Sequence, residues 1–379
     1  MEKIKVAFVT PVDPRHSFRG TENTIYKYAA YLNKNGIDAT VLVPSYHLNK
    51  KQNWTNRTFR LHGVKEKKIC GFRLRLPFKY DLYYYYPIPR DAIVYLPYSP
   101  YTNILNLLLK PRGQKYIIGL HGLHLRNGRL LDKHESLERI FVKTLTLLVL
   151  MRSDIKDTVY YHAINKEQIS YLVKHGVRRK NIFHVPPSID VMQFRSMQKT
   201  TGPVRVIHIG GIQKDANVLG DVIVELMQRG KIHDFEFYLF GRDQPESLKK
   251  LAQLNSNLHI MRSVGEKAKL KFLSDSDVMM APALEAFSAT ILEGLASGDL
   301  IITRKDNPQA KELEDEKIYL LTCDGLAAYT AALLKALDMK REGKITRFGK
   351  SNIKTVEKSF SENIIMPRIL DMFMNLSRG

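Results

Sequence analysis

The feature that most constrains the fold is a strand, turn, helix and strand pattern in the last third of the chain. An apolar run at 277–281 ends at Pro282, and a second apolar run follows at 300–303. Between them, residues 283–298 form a polar turn and then a segment rich in small residues. Short apolar runs that alternate with helical segments are typical of a buried parallel sheet, so this stretch predicts an α/β protein.

Two carboxylates belong to this pattern, Glu285 in the turn and Glu293 eight positions later. If the helix begins near Ser288, the amides of Phe287, Ser288 and Ala289 are donors at its positive end. Glu293 then lies about 8 Å along the helix, at 1.5 Å per residue. A ligand with hydroxyls at both ends and phosphates between them, such as a nucleotide-sugar, would satisfy both carboxylates. A helix with an acidic first turn is the structural alternative.

Composition limits the class of protein. A chain of 379 residues is long enough for two domains, and 44% hydrophobic with 26% charged residues is typical of a globular protein. The net charge of +21 predicts an anionic partner: nucleic acid, phospholipid or a phosphorylated substrate. Cys70 and Cys323 are far apart in sequence, so neither a disulfide framework nor a zinc site is expected.

The sequence predicts a cytoplasmic location. The first ten residues have the pattern of a strand rather than of a signal peptide. The longest apolar stretch, 144–151, is about a third of the length that spans a bilayer. Soluble and cytosolic, with a possible attachment to the inner membrane face, is therefore the expectation.

A basic and aromatic segment at 50–86 is the most unusual surface feature of the sequence. Between residues 50 and 80 ten basic residues accompany one acid, Glu66, and Trp54 and five tyrosines lie close by. Basic residues interleaved with aromatic ones fit an anionic membrane surface and also fit nucleic acid. A solvated β-region is the third interpretation. No recognisable nucleic-acid module accompanies the segment, which favours the membrane.

The stretch Glu285-Ala-Phe-Ser, followed by Glu293-Gly-Leu-Ala-Ser-Gly, resembles the Glu-x7-Glu signature of retaining family-4 glycosyltransferases with the GT-B fold. The resemblance implies that Glu285 and the amides of Phe287, Ser288 and Ala289 hold the donor sugar. It implies that Glu293 holds the ribose. No metal and no cofactor are expected, since a lysine and helix ends would neutralise the diphosphate.

The same resemblance implies a fold of two Rossmann-like domains that face each other across a cleft, with a C-terminal helix crossing back to the first domain. The expected acceptor-side domain is 1–200 and the expected donor-binding domain is 201–360. Residues 361–379 are expected to form the returning helix. A plain amphipathic helix is the alternative for this last segment.

Further site residues come from shorter matches to the family. His121-Gly122 follows an apolar strand, where a histidine would point into the ligand crevice of an α/β fold. Gly20 stands where the family has a glycine pair beside the donor phosphate. The family's loop at the start of the second domain reads Gly-Arg, whereas this chain has Gly210-Gly211. The remaining candidates for contact with the diphosphate or the base are Lys214, Arg242 and Arg262.

The expected activity is transfer of a hexose-type sugar, with retention of configuration, from a nucleotide-diphosphate donor to a glycan or lipid-linked acceptor. A nucleotide-sugar epimerase of the same fold is one alternative. A non-catalytic glycosyltransferase-like partner subunit is another, because the arginine is missing at Gly211. A nucleic-acid binder is the third and is motivated by charge alone.

Overall fold

The chain is organised as two compact units, 1–187 together with 366–379, and 188–365. The computed structural model describes residues 3–10, 20–44, 55–56, 59–64, 88–97, 113–121, 125–126, 129–130, 158–194, 199, 201–211, 214–241, 243–262, 265–285 and 287–378. Arg242 and most of the basic segment at 50–86 lie outside these residues, so the expectations for them stay predictions.

The first unit is built on an eight-stranded sheet. Its strands lie in the order β10-β9-β6-β5-β1-β2-β4-β3, and every neighbouring pair is parallel except β3 with β4. The strands are β1 (Lys5–Val9), β2 (Asp38–Pro44), β3 (Thr55–Asn56), β4 (Phe59–Val64), β5 (Ile93–Pro97), β6 (Tyr116–Gly119), β9 (Val159–Ala163) and β10 (Ile182–His184), with a separate antiparallel pair, β7 (Leu125–Arg126) and β8 (Arg129–Leu130). The helices are α1 (Gly20–Lys34) and α2 (Lys166–Lys174).

The second unit is built on a six-stranded sheet in the order β13-β12-β11-β14-β15-β16, parallel throughout. The strands are β11 (Val204–Ile209), β12 (Phe235–Phe240), β13 (Leu258–Met261), β14 (Val278–Ala281), β15 (Leu300–Arg304) and β16 (Leu320–Cys323). The helices are α3 (Asn217–Gln228), α4 (Glu246–Leu254), α5 (Glu266–Asp275), α6 (Ala289–Ala296), α7 (Pro308–Asp315), α8 (Leu326–Arg341) and α9 (Lys344–Phe360).

Apolar strands produce the core of each unit. Strands β5 and β6 are buried along their whole length, because a parallel sheet covered on both faces leaves neither side of a strand in water. Strand β14 lies between β11 and β15, with Val278 beside Leu300 and Met279 beside Ile301. The strand, turn, helix and strand pattern at 277–303 therefore begins at the centre of its sheet. The turn after β14 emerges at the carboxyl edge, where α/β sheets bind ligands.

The last helix, α10 (Glu362–Arg378), brings the chain back to the first unit at residue 366, as expected. The ring of Phe373 packs edge-on against Phe8, with ring centroids 5.7 Å apart. The Arg368 guanidinium donates to the carbonyl of His184 at 2.7 Å. The return is thus fixed by an apolar face and by polar contacts.

None of the helices among the described residues combines the length and the apolar character that a membrane span requires.

Candidate functional site

The turn after β14 carries Glu285, and side chains from the next connection hold this turn in place. The amide of Asn307, buried completely, donates to the carbonyl of Ala283 at 3.3 Å. Thr303 donates its hydroxyl proton to the carbonyl of Ala281 at 2.8 Å. Because these donors come from the end of β15 and the start of α7, the turn is braced by a neighbouring loop rather than by its own residues.

Gln309 also holds this turn in place, and its contacts show that the expectation for the Ser288 amide was wrong. The backbone amide of Ser288 donates to the Gln309 side-chain oxygen at 2.7 Å, and the Gln309 amide donates to the Ser288 carbonyl at 3.1 Å. The amide of Ser288 is therefore not the open donor that we expected, because a buried glutamine has taken the place of a ligand. The helix nevertheless begins where the sequence predicted, with Ser288 as N-cap and Ala289 as first residue.

Glu285 makes an ion pair with Lys214, which lies at the end of the loop after β11. Their side chains are 19% and 35% exposed, so the pair sits at a partly open edge of the second sheet. Burial lowers the pKa of Lys214 to about 8. An amine with this pKa is charged at neutral pH and loses its charge in mild alkali, which makes its function sensitive to pH.

Three glycines explain how Lys214 reaches this position. Gly210 has a φ of +149°, and a Cβ there would lie 2.2 Å from the Lys214 side chain. A Cβ at Gly211 would lie 2.4 Å from the Asp243 carbonyl oxygen, and one at Gly241 would lie 2.6 Å from the Gly210 carbonyl oxygen. The loops after β11 and β12 therefore touch through bare backbone, and no arginine fits at position 211 in this conformation.

Glu293 lies within α6 and pairs with Lys269 of the neighbouring helix α5, Nζ to Oε1 3.0 Å. The two side chains are 19% and 20% exposed, which leaves part of the carboxylate accessible. Lys269 was missed by sequence reasoning. Lysines alternate along this segment, so the sequence does not distinguish Lys269 from its neighbours. Only the packing of α5 beside α6 shows that Lys269 contacts Glu293.

His208 is a second residue that the sequence did not single out. It lies on β11 close to Lys214, is 2% exposed, and donates from Nδ1 to the carbonyl of Met280 at 3.0 Å. Burial lowers its pKa to about 4, so the ring is neutral at physiological pH. Its Nε2 has no hydrogen-bond partner among the described residues. A buried acceptor therefore lies beside the glycine loop.

The other residues predicted to contact the donor lie in different elements of the fold. Phe287 is partly buried, and its ring packs 5.9 Å from that of Phe360. Arg262 follows β13 and is exposed at the same carboxyl edge. Gly20 begins helix α1 in the first unit. Arg242 lies outside the described residues, although both of its neighbours are described.

In the first unit, His121 follows β6 at the carboxyl edge of the sheet, as predicted. Its Nε2 lies 2.7 Å from the hydroxyl of Tyr95, and that hydroxyl lies 2.7 Å from Nδ1 of His162. Burial, followed by the proximity of His162, holds the pKa of His121 well below its usual range. Neither Tyr95 nor His162 was expected to take part, because they are distant from His121 in sequence.

A cavity elsewhere in the second unit is distinct from this site. It measures about 410 Å³ and is lined at the opposite, amino edge of the sheet by Pro203, Asp234 and Asp277. Its charged lining is already paired internally, as in Lys340 Nζ to Asp277 Oδ2 at 2.6 Å. In the described part of the chain, no group of three His, Cys, Asp or Glu side chains is arranged to hold a metal ion.

No protein-family model matches the sequence, and no curated protein matches it. Solved structures do resemble it over its whole length. Sucrose-phosphate synthase from Thermosynechococcus elongatus superposes with a TM-score of 0.75 at 13% identity, covering 99% of this chain and 100% of that one. A glycosyltransferase from Rickettsia africae gives 0.71 at 14% identity, with 100% of both chains covered.

Anabaena HepE, solved in complex with UDP and glucose, gives a TM-score of 0.68 at 13% identity and covers 99% of this chain and 100% of its own. At such low identity the likeness concerns the fold and not the activity. The likeness covers nearly the whole length of this chain in each case. The chain has the GT-B fold, with two Rossmann-like domains.

Proposed function

We propose that this protein is a retaining glycosyltransferase that moves a hexose-type sugar from a nucleotide-diphosphate donor to a glycan or lipid-linked acceptor. The observation that carries the proposal is the pairing of two partly exposed carboxylates with lysines around helix α6, Glu285 with Lys214 before the helix and Glu293 with Lys269 within it. Each pair combines an acceptor for hydroxyls with a cation for phosphate oxygens. A sugar–diphosphate–nucleoside molecule presents those groups in that order.

The charges suit the leaving group of such a reaction. When the bond from the sugar carbon to the diphosphate breaks, negative charge develops on the phosphate oxygen, and a positive group placed there in advance stabilises the transition state. Lys214 is the proposed positive group. The new bond forms to the acceptor hydroxyl on the same face, and the hydroxyl proton passes to the leaving diphosphate. Glu285 would orient the sugar and Glu293 the ribose.

The proposal includes no metal, since Lys214 and the start of α6 would do the electrostatic work of a divalent cation. UDP is the first nucleotide to test, because the structures of Anabaena HepE contain UDP and UDP-glucose. For the acceptor, the basic and aromatic composition of residues 50–86 favours molecules presented at an anionic membrane surface.

A thermal-shift screen of UDP-, GDP- and ADP-sugars tests the donor class. We expect at least one of them to raise the melting temperature, because a ligand held by the native state stabilises it by about 2.7 kcal/mol at a hundred times its Kd. The variant Glu293→Ala is expected to lose the shift while keeping its own melting temperature near that of the wild type. A screen in which no nucleotide-sugar moves the melting temperature would contradict the proposal.

The affinity for UDP is expected to fall as the pH rises above about 8. The pKa of Lys214, lowered to about 8 by burial, means that the amine is charged below this pH and increasingly neutral above it. If only the charged amine binds diphosphate, Kd is constant up to pH 8 and then rises by about tenfold per pH unit. Calorimetric titrations at pH 7, 8 and 9 measure this, with Lys214→Met as the control that should bind weakly and without the pH dependence.

A non-catalytic partner subunit is the second candidate, and the closed loop at Gly211 favours it because the family's arginine is absent there. Such a subunit would bind the nucleotide-sugar without turning it over. Product analysis with purified protein and donor separates the two: transfer or slow hydrolysis supports the enzyme, and a thermal shift without any turnover supports the subunit.

A further inference from the structure

The first unit contains a chain of hydrogen bonds that leads from a backbone carbonyl to His121. The Val185 carbonyl oxygen lies 2.7 Å from Nε2 of His162, whose Nδ1 lies 2.7 Å from the Tyr95 hydroxyl. The same hydroxyl lies 2.7 Å from Nε2 of His121. These contacts join β5, β9 and the end of β6 within one sheet.

Proton counting gives every bond in this chain a direction. A carbonyl only accepts, so Nε2 of His162 carries a proton and donates it to Val185. In a neutral imidazole Nδ1 is then an acceptor, so the single hydroxyl proton of Tyr95 must point to His162. The oxygen of Tyr95 is left to accept, and its remaining partner, Nε2 of His121, must therefore carry a proton. The Nδ1 of His121 is left with a lone pair.

Burial supports the neutral state that the counting requires. His162 is fully buried, and desolvation lowers its pKa to about 4. Desolvation, with the nearby His162, also holds the pKa of His121 well below its usual range. Both rings are therefore uncharged at neutral pH, and each must choose one tautomer.

The surrounding residues hold Tyr95 in position. A Cβ at Gly119 would lie 2.1 Å from the Tyr95 hydroxyl oxygen, so only glycine leaves room for this hydroxyl beside β6. The ring of Tyr28 packs edge-on against Tyr95, with centroids 6.4 Å apart, and Phe373 packs on it at 6.3 Å. Tyr95 is fully buried, so its hydroxyl has no water with which to exchange partners.

We infer that Tyr95 and His162 are positioning residues that fix the proton of His121 on Nε2 and so present its Nδ1 as a hydrogen-bond acceptor. An acceptor of this kind recognises a group that brings a proton, such as a sugar hydroxyl. It disfavours a phosphate or carboxylate oxygen, which is also an acceptor. The identification of that hydroxyl with a sugar depends on the proposed function, whereas the tautomer itself does not.

The tautomer is measured directly with ¹⁵N-histidine-labelled full-length protein at pH 7 and without nucleotide-sugar. Long-range ¹H–¹⁵N correlation spectra distinguish a protonated ring nitrogen from an unprotonated one, and His121→Gln identifies the signals of His121. We expect a single neutral form with the proton on Nε2. A proton on Nδ1, or a charged ring, would overturn the inference even if no variant of Tyr95 could be purified.

The variant Tyr95→Phe tests the relay, with Tyr28→Phe as its matched control. Both remove one buried phenolic oxygen from the same aromatic cluster, but the Tyr28 hydroxyl has no hydrogen-bond partner among the described residues. We expect Tyr95→Phe to give a mixture of His121 tautomers and Tyr28→Phe to leave the spectrum of His121 unchanged. If His121 keeps its proton wholly on Nε2 in Tyr95→Phe, Tyr95 does not position it.

Activity provides the second measurement once a donor is known. Loss of one hydrogen bond to an oriented ring is expected to lower kcat/KM by roughly two- to tenfold in Tyr95→Phe and to leave Tyr28→Phe at the wild-type value. Equal losses in the two variants would indicate a merely structural role and overturn the assignment. Failure of every nucleotide-sugar to bind would count against the proposed function and leave the spectroscopic result intact.

Discussion

Replacing Glu285 with glutamine is expected to lower the rate of sugar transfer by on the order of a hundredfold while the protein remains folded. Glutamine has nearly the same shape but no charge, so the ion pair with Lys214 is lost. Both a sugar hydroxyl and the lysine would then lose their orientation, and a small misplacement of reacting groups costs about that factor. Steady-state kinetics with the donor found in the thermal-shift screen measure the loss in kcat/KM.

The matched control is Glu246→Gln. Glu246 also pairs with a lysine, Lys249 Nζ at 3.1 Å, but it lies at the exposed start of α4. Exposed ion pairs contribute little to stability, so this variant is expected to behave as the wild type in both melting and kinetics. Full activity in Glu285→Gln, or an equal loss in Glu246→Gln, would remove Glu285 from the proposed mechanism.

The variant Gly211→Arg introduces the arginine that the retaining glycosyltransferases resembled by this sequence have at that position. It is expected to destabilise the second unit rather than to improve donor binding. A Cβ at this position would lie 2.4 Å from the Asp243 carbonyl oxygen and 2.9 Å from its carbon. Both atoms belong to the backbone, so a whole loop must move. We expect a cost of about 3 kcal/mol, at the upper end for overpacked sites. Calorimetry should show a melting temperature lower by roughly 6–12 °C.

Gly265→Arg provides the control for added charge and bulk. Gly265 is exposed, has a φ of −64° and has no atom within 4 Å of an added Cβ. Gly265 is the N-cap of α5, where glycine is a favoured residue, so its replacement should cost about 1 kcal/mol, well below the cost expected at Gly211. A Gly211→Arg protein that melts like the wild type and binds UDP more tightly would contradict this prediction. It would show that the loop after β11 opens easily and that the absence of the arginine only weakens donor binding.

The chain's own residues predicted β1, β6, β14, β15 and the start of α6. Buried parallel strands are short apolar runs, and such runs are visible without any tertiary information. A separate helix from residue 361 was expected, but the contact that separates α9 from α10 was not. Ser361 leaves the helical conformation with ψ of 153°, because it pairs as a β-bridge with Ile189, which is distant in sequence.

The start of α7 could have been found. Asn307 is an N-cap whose side chain accepts from the amide of Gln309, and Pro308 follows at the first helical position. Asparagine followed by proline is a known signal of a helix start, because proline lacks the amide proton that would be unsatisfied there.

The sequence by itself determined where Glu285, Glu293 and His121 would lie, since a turn or helix that follows a parallel strand emerges at the carboxyl edge of its sheet. Only the tertiary structure decided which side chains contact Glu293, Ser288 and His121. Lys269, Gln309 and Tyr95 come from elements distant in sequence. Which side chain meets a given carboxylate or imidazole depends on strand order and helix packing, and local periodicity contains no information about either.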